Sequence, residues 1–465
     1  MTEKRNQKGF VLVTAVVFSF ATVLLGLAFL GTAERLYRTV SRQYIEIKST
    51  YDAYGGLGAA FAYDIERGGY GLEYRSPEIA WYDNDSYQFE IIPAGSHSIE
   101  YGTSYNTRYI VDGHSNGYEW DFVNSITSAS IRESYADYLY ISYTEHDSLR
   151  KATIRFWGAD TLDGKVHSND WITVMQNPLF LEKVTSCSSY IKPIGNQAIL
   201  RKGFDQRPPI EFPDQAHRIR QYNVYRQPGG DFWGTYDQDS ITEITFSGPF
   251  IYRRYCGPDT NNYDSIRCYP EVIADAPMYQ LPYTGALFIR GKVWIKANRG
   301  HVDRIDHLFI SQGFEGALTV GSSDTMIIVD NLVYKHARTN RSVPDWDTCK
   351  DVLGLISERY IMMGRDVSDT VVYVNAALAA INGSISVQDI YDNTYPDWDN
   401  EKQSLVIWGS LAQRNRGIIH TTDNPPNHYR GFIEKDYHYD KRLHIHPPPH
   451  YLEARKFSMY YFEEL

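Results

Sequence analysis

Charge is missing from Phe10 to Ala33, a run of twenty-four residues, and no second run of that kind follows. At about 1.5 Å per helical residue the run is long enough to cross ~30 Å of hydrocarbon. The rest of the 465-residue chain reads as one large soluble passenger, long enough for several domains or one extended architecture. Beyond the first nine residues no long basic run occurs and the net charge is −11, so a nucleic-acid partner is not indicated. Cysteine is scarce: the four residues Cys187, Cys256, Cys268 and Cys349 show no C-x-x-C spacing, so zinc is not suggested. A nucleophile elbow, H-E-x-x-H, a P-loop and G-x-G-x-x-G are also missing, and no established catalytic constellation stands out. The reading is of a protein that is not an enzyme.

What is present starts with the leader. Lys4, Arg5 and Lys8 precede the apolar run and Glu34 is the first charge after it. The positive-inside bias keeps the short N-terminus in the cytoplasm and sends about 430 residues across the membrane, with Arg35, Arg38 and Arg42 pulling weakly against it. An inner-membrane anchor with an extracytoplasmic passenger at the cell surface is the expected location. An ordinary secretory signal would have a shorter apolar core with its cut behind it. The junction Lys8-Gly9-Phe10-Val11-Leu12-Val13-Thr14 instead resembles the class III leader of type IV pilins and type II secretion pseudopilins. That resemblance implies cleavage between Gly9 and Phe10, methylation of Phe10, and other pilin-like subunits as partners. It also implies a glutamate at the fifth mature position, where this chain has Thr14. Minor and tip subunits share that departure. A plain single-pass anchor is the competing reading.

Leu36, Val40, Tyr44, Ile47, Tyr51, Tyr54, Gly58 and Phe61 are spaced by threes and fours, which continues the helix as an amphipathic stalk over residues 10–66. Gly55, Gly56 and Gly58 should weaken or bend it, and Gly68-Gly69 should end it. The load of 38 tyrosines and nine tryptophans favours β-structure in the remainder. Short alternating segments over 70–155 suggest a β-rich collar. Over 156–430 short strands alternate with Gly, Asn, Asp and Ser turns, as in Leu287 to Ile295, Met326 to Tyr334 and Thr370 to Ala377. Strands without helices between them suggest coils of a right-handed parallel β-helix, with Asn169, Asn331 and Asn375 stacking at turns. An antiparallel sandwich is the alternative. Residues 431–465 read as a C-terminal tail. The expected fold is therefore mainly β: a long N-terminal membrane and stalk helix, a collar and a β-helix, behind a 1–9 leader.

A second resemblance covers most of the passenger. Gly164 to Asn169, Asp330 to Tyr334, Asp351 to Ile356, Trp408 to Gly417 and Tyr439 to Leu443 with Pro447-Pro448 occur in one order. The series looks like an uncharacterised bacterial domain family found behind pilin-like N-termini, which implies architecture and location but no chemistry.

Some candidate sites remain. His444 and His446 would share a face on a strand, so both imidazoles could ligate one metal, though a packed or solvated tail is the plainer reading. Pro344-Asp345-Trp346-Asp347 and Pro396-Asp397-Trp398-Asp399 recur fifty-two residues apart. Their carboxylates suit calcium, whereas turn-making aspartates and interior-capping tryptophans account for the same pattern. Neither is strong enough to assign a cofactor. Cys256 and Cys268, twelve apart in a turn-rich stretch, are the candidate disulfide, with free buried thiols as the alternative. His167 beside Ser168 reads as a turn rather than a catalytic pair. Three functions follow: a minor pilin-like or pseudopilin-like protein for adhesion, filament initiation or secretion, with a glycan or protein surface as ligand; a membrane-tethered β-helix lyase or hydrolase; or a passive envelope scaffold.

Overall fold

One long helix, Glu3–Glu66, is followed by a succession of mostly short strands, so the chain is mainly β behind an apolar N-terminal helix. The computed structural model describes residues 3–66, 74–82, 85–93, 106–117, 120–147, 153–158, 160–223, 241–259, 262–282, 284–302, 309–337, 348–364, 369–390, 401–421, 430–444 and 446–464. Two units divide the chain: Met1–Gly95 with Tyr105–Ile131 and Met459–Leu465, and Ser96–Ser104 with Arg132–Ser458.

In the first unit the helix runs unbroken through Gly55, Gly56 and Gly58. Its buried face is Ile45, Ser49, Asp52, Ala53, Leu57, Ala60 and Asp64, a three-four spacing of mostly small residues. Against it lies an antiparallel sheet in the order Tyr74–Arg75, Asp85–Pro93, Asn106–Gly117, Trp120–Ser134 and Glu453–Glu464, with Ile79–Tyr82 paired to Asp85–Pro93. Alternation along the strands turns Tyr87, Phe89, Ile91, Tyr109, Val111 and Ile126 to the helix. Gly117 meets Ile45, Gly113 meets Ser49 and Ala53, and the Tyr109 hydroxyl donates to Asp64 Oδ2 at 2.8 Å. From Gly117 to Tyr109 a strand covers about 27 Å, and from Ile45 to Asp64 a helix covers about 28 Å. The strand therefore lies along the helix. Gly113 is required there because a Cβ would fall 2.2 Å from Ser49 O and 2.3 Å from Ala53 N. Gly56 serves the same contact, with Val111 Cγ1 2.6 Å from where its Cβ would be. Glycine here permits close approach of helix and sheet.

In the second unit three ladders of parallel strands carry the core. The first stacks Leu287, Val320, Leu355, Leu378, Leu411, Tyr140, Val166, Val184 and Phe204 in register. The second stacks Ile244, Ile295, Ile328, Met363 and Val387. The third stacks Ala297, Leu332, Val374, Ile407, Tyr437, Leu162, Phe180 and Leu200. Nearly all of these side chains are buried, each branched aliphatic contributing about 1.5–3 kcal/mol of transfer free energy. The alternation expected from Leu287 to Ile295 turns a corner at Gly291, whose φ of +104° favours glycine. Ile289 thus pairs with Ser322 in the first ladder and Val293 with Met326 in the second.

Several expectations need correction. Tyr140–Thr144, assigned to the collar, lies within the first ladder. The ladders do not follow chain order: segments 140–206 stack after 401–439, with Tyr140 beside Leu411 and Leu162 beside Tyr437. Residues 431–465 are not a tail, because Arg430–Tyr439 belongs to the third ladder and Glu453–Glu464 joins the antiparallel sheet. The backbone donors and acceptors of these strands are satisfied by neighbours remote in sequence, a link that local pattern does not carry. Asn331 and Asn375 do not stack on one another: Asn331 Oδ1 accepts from Tyr373 N and Asn375 Oδ1 from Tyr334 N. Asn169 is elsewhere, joining His167 to Ile210.

Candidate functional sites

Residues 3–9 are helical, and Gly9 and Phe10, the expected processing site, lie within Glu3–Glu66. From Phe10 onward the apolar run is uncovered, Phe10, Phe18 and Phe29 each being 74% exposed. Its three threonine hydroxyls are satisfied locally: Thr14 donates to Phe10 O, Thr22 to Phe18 O and Thr32 to Ala28 O at 2.8–2.9 Å. This back-bonding removes polar groups that hydrocarbon would penalise. The helix is long and apolar enough to cross a membrane. Thr14, where the pilin pattern has an acid, therefore spends its hydroxyl on its own helix.

Beyond the run, the stripe expected from Leu36 to Tyr54 is on the helix face that the sheet leaves open. Leu36, Val40, Tyr44, Ile47 and Tyr51 are between 55% and 70% exposed. The covered face instead buries acid. Lys48 Nζ lies 2.5 Å from Asp85 Oδ2, and Ser115 donates to Asp85 Oδ1. Burial and the Asp85 charge raise the Asp52 carboxyl above its ordinary range, with Lys48 opposing. The hydrogen bond from Lys48 to Asp85 raises the ammonium in turn.

The second unit holds a cavity of about 370 Å³ where segment 140–206 meets segment 401–439. The first and third ladders continue across this seam, but the second does not. Ile385–Val387 hydrogen-bonds to Ile418, and Phe156–Trp157 belongs to a separate three-stranded parallel sheet with Thr173–Met175 and Lys192–Ile194. The cavity occupies the break. Arg416 is 5% exposed; its Nη1 donates to Glu145 Oε2 at 2.7 Å and its guanidinium lies 3.6 Å over the Phe156 ring. Glu145 also accepts from the Ser142 and Tyr140 hydroxyls. Lys435 Nζ sits 2.8 and 2.9 Å from the two oxygens of Asp160. Burial lowers the Lys435 ammonium, only partly offset by Asp160. For Arg416 burial acts downward too, but Tyr140 and Glu145 outweigh it and raise the group. Burial pushes the Tyr140 and Tyr437 phenols far up, so both remain neutral.

A second buried ionic group lies at Glu243, 0% exposed, with Arg254 Nε at 2.5 Å from Oε2 and Lys296 Nζ at 2.8 Å from Oε1. Burial alone would raise this carboxyl, but Lys296 and Arg254 hold it below the ordinary range. Cys256 and Cys268 face each other in register and are disulfide-bonded beside it. Glu243 and the two sulfurs form the sole metal-sized donor cluster among the described residues, and the disulfide occupies both sulfurs. Cys187 and Cys349 are free thiols, and burial pushes Cys349 up to about 11.

His444 and His446 are not on a strand. His444 ends the 3-10 turn Lys441–His444, where its Nδ1 lies 2.9 Å from Asp137 Oδ1, so the alternation that would have aimed both rings one way is missing. Asp345, Asp347, Asp397 and Asp399 lie outside the described residues. His167 is fully buried between Thr185 Oγ1 and Asn169 Oδ1, a structural position. Sequence reasoning missed Glu145, Asp160, Arg416, Lys435 and Tyr437. The available signal was charge inside alternating apolar segments, such as Lys435 after Phe432-Ile433.

No family model matches the chain, and no curated protein matches it. One solved structure similar to it is described as competence-associated pilin ComZ from Thermus thermophilus. The match has 10% identity, covers 90% of this chain and 97% of that one, and has a TM-score of 0.30. A likeness at that level bears no weight for fold or function.

Proposed function

We propose that this chain is a low-copy pilin-like or pseudopilin-like envelope subunit, non-catalytic, whose N-terminal helix packs among other such helices while its β-rich part faces outward. It would serve adhesion, filament initiation or secretion. The observation that carries this reading is the uncovered stripe from Leu36 to Tyr54. A plain anchor needs apolar surface only within the bilayer, but this stripe lies beyond the uncharged run and is itself roughly 27 Å long. Contiguous exposed apolar surface of that extent marks a site of contact with another protein or a membrane. Thr14 supports low copy, because no acid is offered to a neighbour's amine and its hydroxyl is already bonded to Phe10. Mass spectrometry of protein from native membranes containing a prepilin peptidase should find Phe10 at the N-terminus; an intact Met1 would overturn the processing. Quantitative proteomics of sheared surface filaments should find the chain as a trace component.

The proposed passenger is a right-handed parallel β-helix, its three ladders forming the faces and its coils permuted so that 140–206 follows 401–439. Stacked coils fold only with their neighbours. Deleting 317–334, which supplies Val320, Ile328 and Leu332 to the three ladders, should abolish cooperative unfolding; a soluble, cooperatively melting product would count against the architecture. A tethered carbohydrate enzyme is the weaker reading, since Glu145 and Asp160 are each neutralised by a cation rather than set as an acid–base pair.

A further inference from the structure

We infer that the seam cavity is a binding site for a small monocarboxylate with an apolar body, held by Arg416 and the Tyr437 hydroxyl. Both residues line the cavity and are at least nine-tenths buried. Arg416 uses Nη1 on Glu145 and, at 3.5 Å, Ile154 O, which leaves Nε and Nη2 with no protein acceptor among the described residues. Tyr437 likewise has no hydrogen-bond partner for its hydroxyl there. Neither group is among the sealed, unsatisfied atoms of the interior, so these donors open onto the cavity. An acceptor that enters the cavity meets both donors and replaces the solvent that would otherwise satisfy them. The site is therefore built around an acceptor.

The kind of acceptor follows from the surroundings. A guanidinium offers only donors in a planar fork that matches a carboxylate. The neutral Tyr437 phenol can donate to the same anion. The other cation, Lys435, is already neutralised by Asp160, and Glu145 lies behind Arg416. With Arg416 paired to Glu145 and Lys435 to Asp160, these four fixed charges sum to zero, so a second negative charge on the ligand would go uncompensated, which disfavours phosphate and sulfate. Phe156, Leu162, Met175, Ile418 and Ile433 also line the cavity and would receive a hydrocarbon body. The volume of about 370 Å³ falls within the range of small-molecule sites. The missing stretch of the second ladder thus has a use: it opens a donor-lined space between two halves of the stack.

The test is calorimetric titration of the full chain in detergent micelles with hexanoate, hexanamide and inorganic phosphate, against protein-free micelles. Hexanoate should bind, hexanamide at least about tenfold more weakly, and phosphate not measurably. Tyr437→Phe keeps the ring in its packing and should weaken hexanoate by about tenfold without shifting the melting transition. Arg416→Lys should weaken it further by removing the fork while keeping a cation for Glu145. Equal binding of acid and amide, no hexanoate binding, or an unaffected Tyr437→Phe variant would overturn the site. Phosphate binding in preference to hexanoate would overturn the ligand class.

Discussion

The two units handle apolar surface and charge in opposite ways. The helix–sheet unit buries a small, partly acidic helix face and leaves large apolar residues of that helix, such as Tyr44 and Tyr51, in the open. The ladder unit buries nearly all of its aliphatic rows and sets buried cations beside carboxylates at Glu243 and Glu145. The difference teaches what each surface is for. A body that hides its own apolar residues leaves little for a partner to cover, whereas a helix that hides alanine and shows tyrosine leaves apolar surface open, the surface on which the proposed packing among other helices rests.

Substitutions can break that contrast. The largest effect is expected from Glu243→Gln, which strands Arg254 and Lys296 as buried cations and should destabilise the ladder unit by about 3–5 kcal/mol in denaturant unfolding. The pH dependence sharpens the point. The Glu243 carboxyl is held below its unfolded value, so its contribution is present above the ordinary carboxylate range and is lost as pH falls through the folded value. The variant should lack that acid-dependent component.

Next is Gly113→Val, which forces a side chain onto Ser49 O and Ala53 N. Overpacking of this kind costs about 1–3 kcal/mol or more, and it should release the helix from the sheet. Proteolysis of the stalk near Ser49 should accelerate while the tryptophan signal of the ladder unit is retained. Loss of both together would show that the contrast between the units is not a division in stability.

Asp52→Asn is smaller and opposite in sign. Burial and Asp85 hold the Asp52 carboxyl above its unfolded value, so the wild type loses stability as pH rises through the folded value. The variant should be stabilised by about 0.5 kcal/mol at neutral pH, with the gain vanishing in acid. Thermal melts at pH 7.5 and 3.5 measure it. The smallest effect on folding is expected from Tyr44→Ser with Tyr51→Ser, within about 0.5 kcal/mol because both rings are exposed. The same pair should lower recovery of the chain with pilin-like subunits from native membranes, and unchanged recovery would deny the stripe its role.

The helix was legible from Phe10 to Glu66 because its signals are local: an uncharged run of membrane length and a three-four stripe behind it. Which face of that helix is covered was not legible, since Ala53 and Gly56 give little hydrophobic signal and matter only through the close approach of Tyr87, Val111 and Gly113. The strands were legible for the same reason as the helix, from Val352 to Ser357 and Ser404 to Gly409, where a short apolar run bounded by turn residues marks each segment.

Their neighbours were another matter. Every parallel strand offers the same repeating backbone donors and acceptors, so nothing in Tyr140–Thr144 by itself specifies Leu411–Asn415 as its partner. By itself the sequence determined an apolar, membrane-length helix and a mainly β remainder, because each follows from periodicity within a few residues. Only the tertiary structure decided the permuted stacking, the paired buried charges and the seam cavity. Those depend on residues such as Glu145 and Arg416, hundreds of positions apart, whose burial is tolerable only once each has found the other.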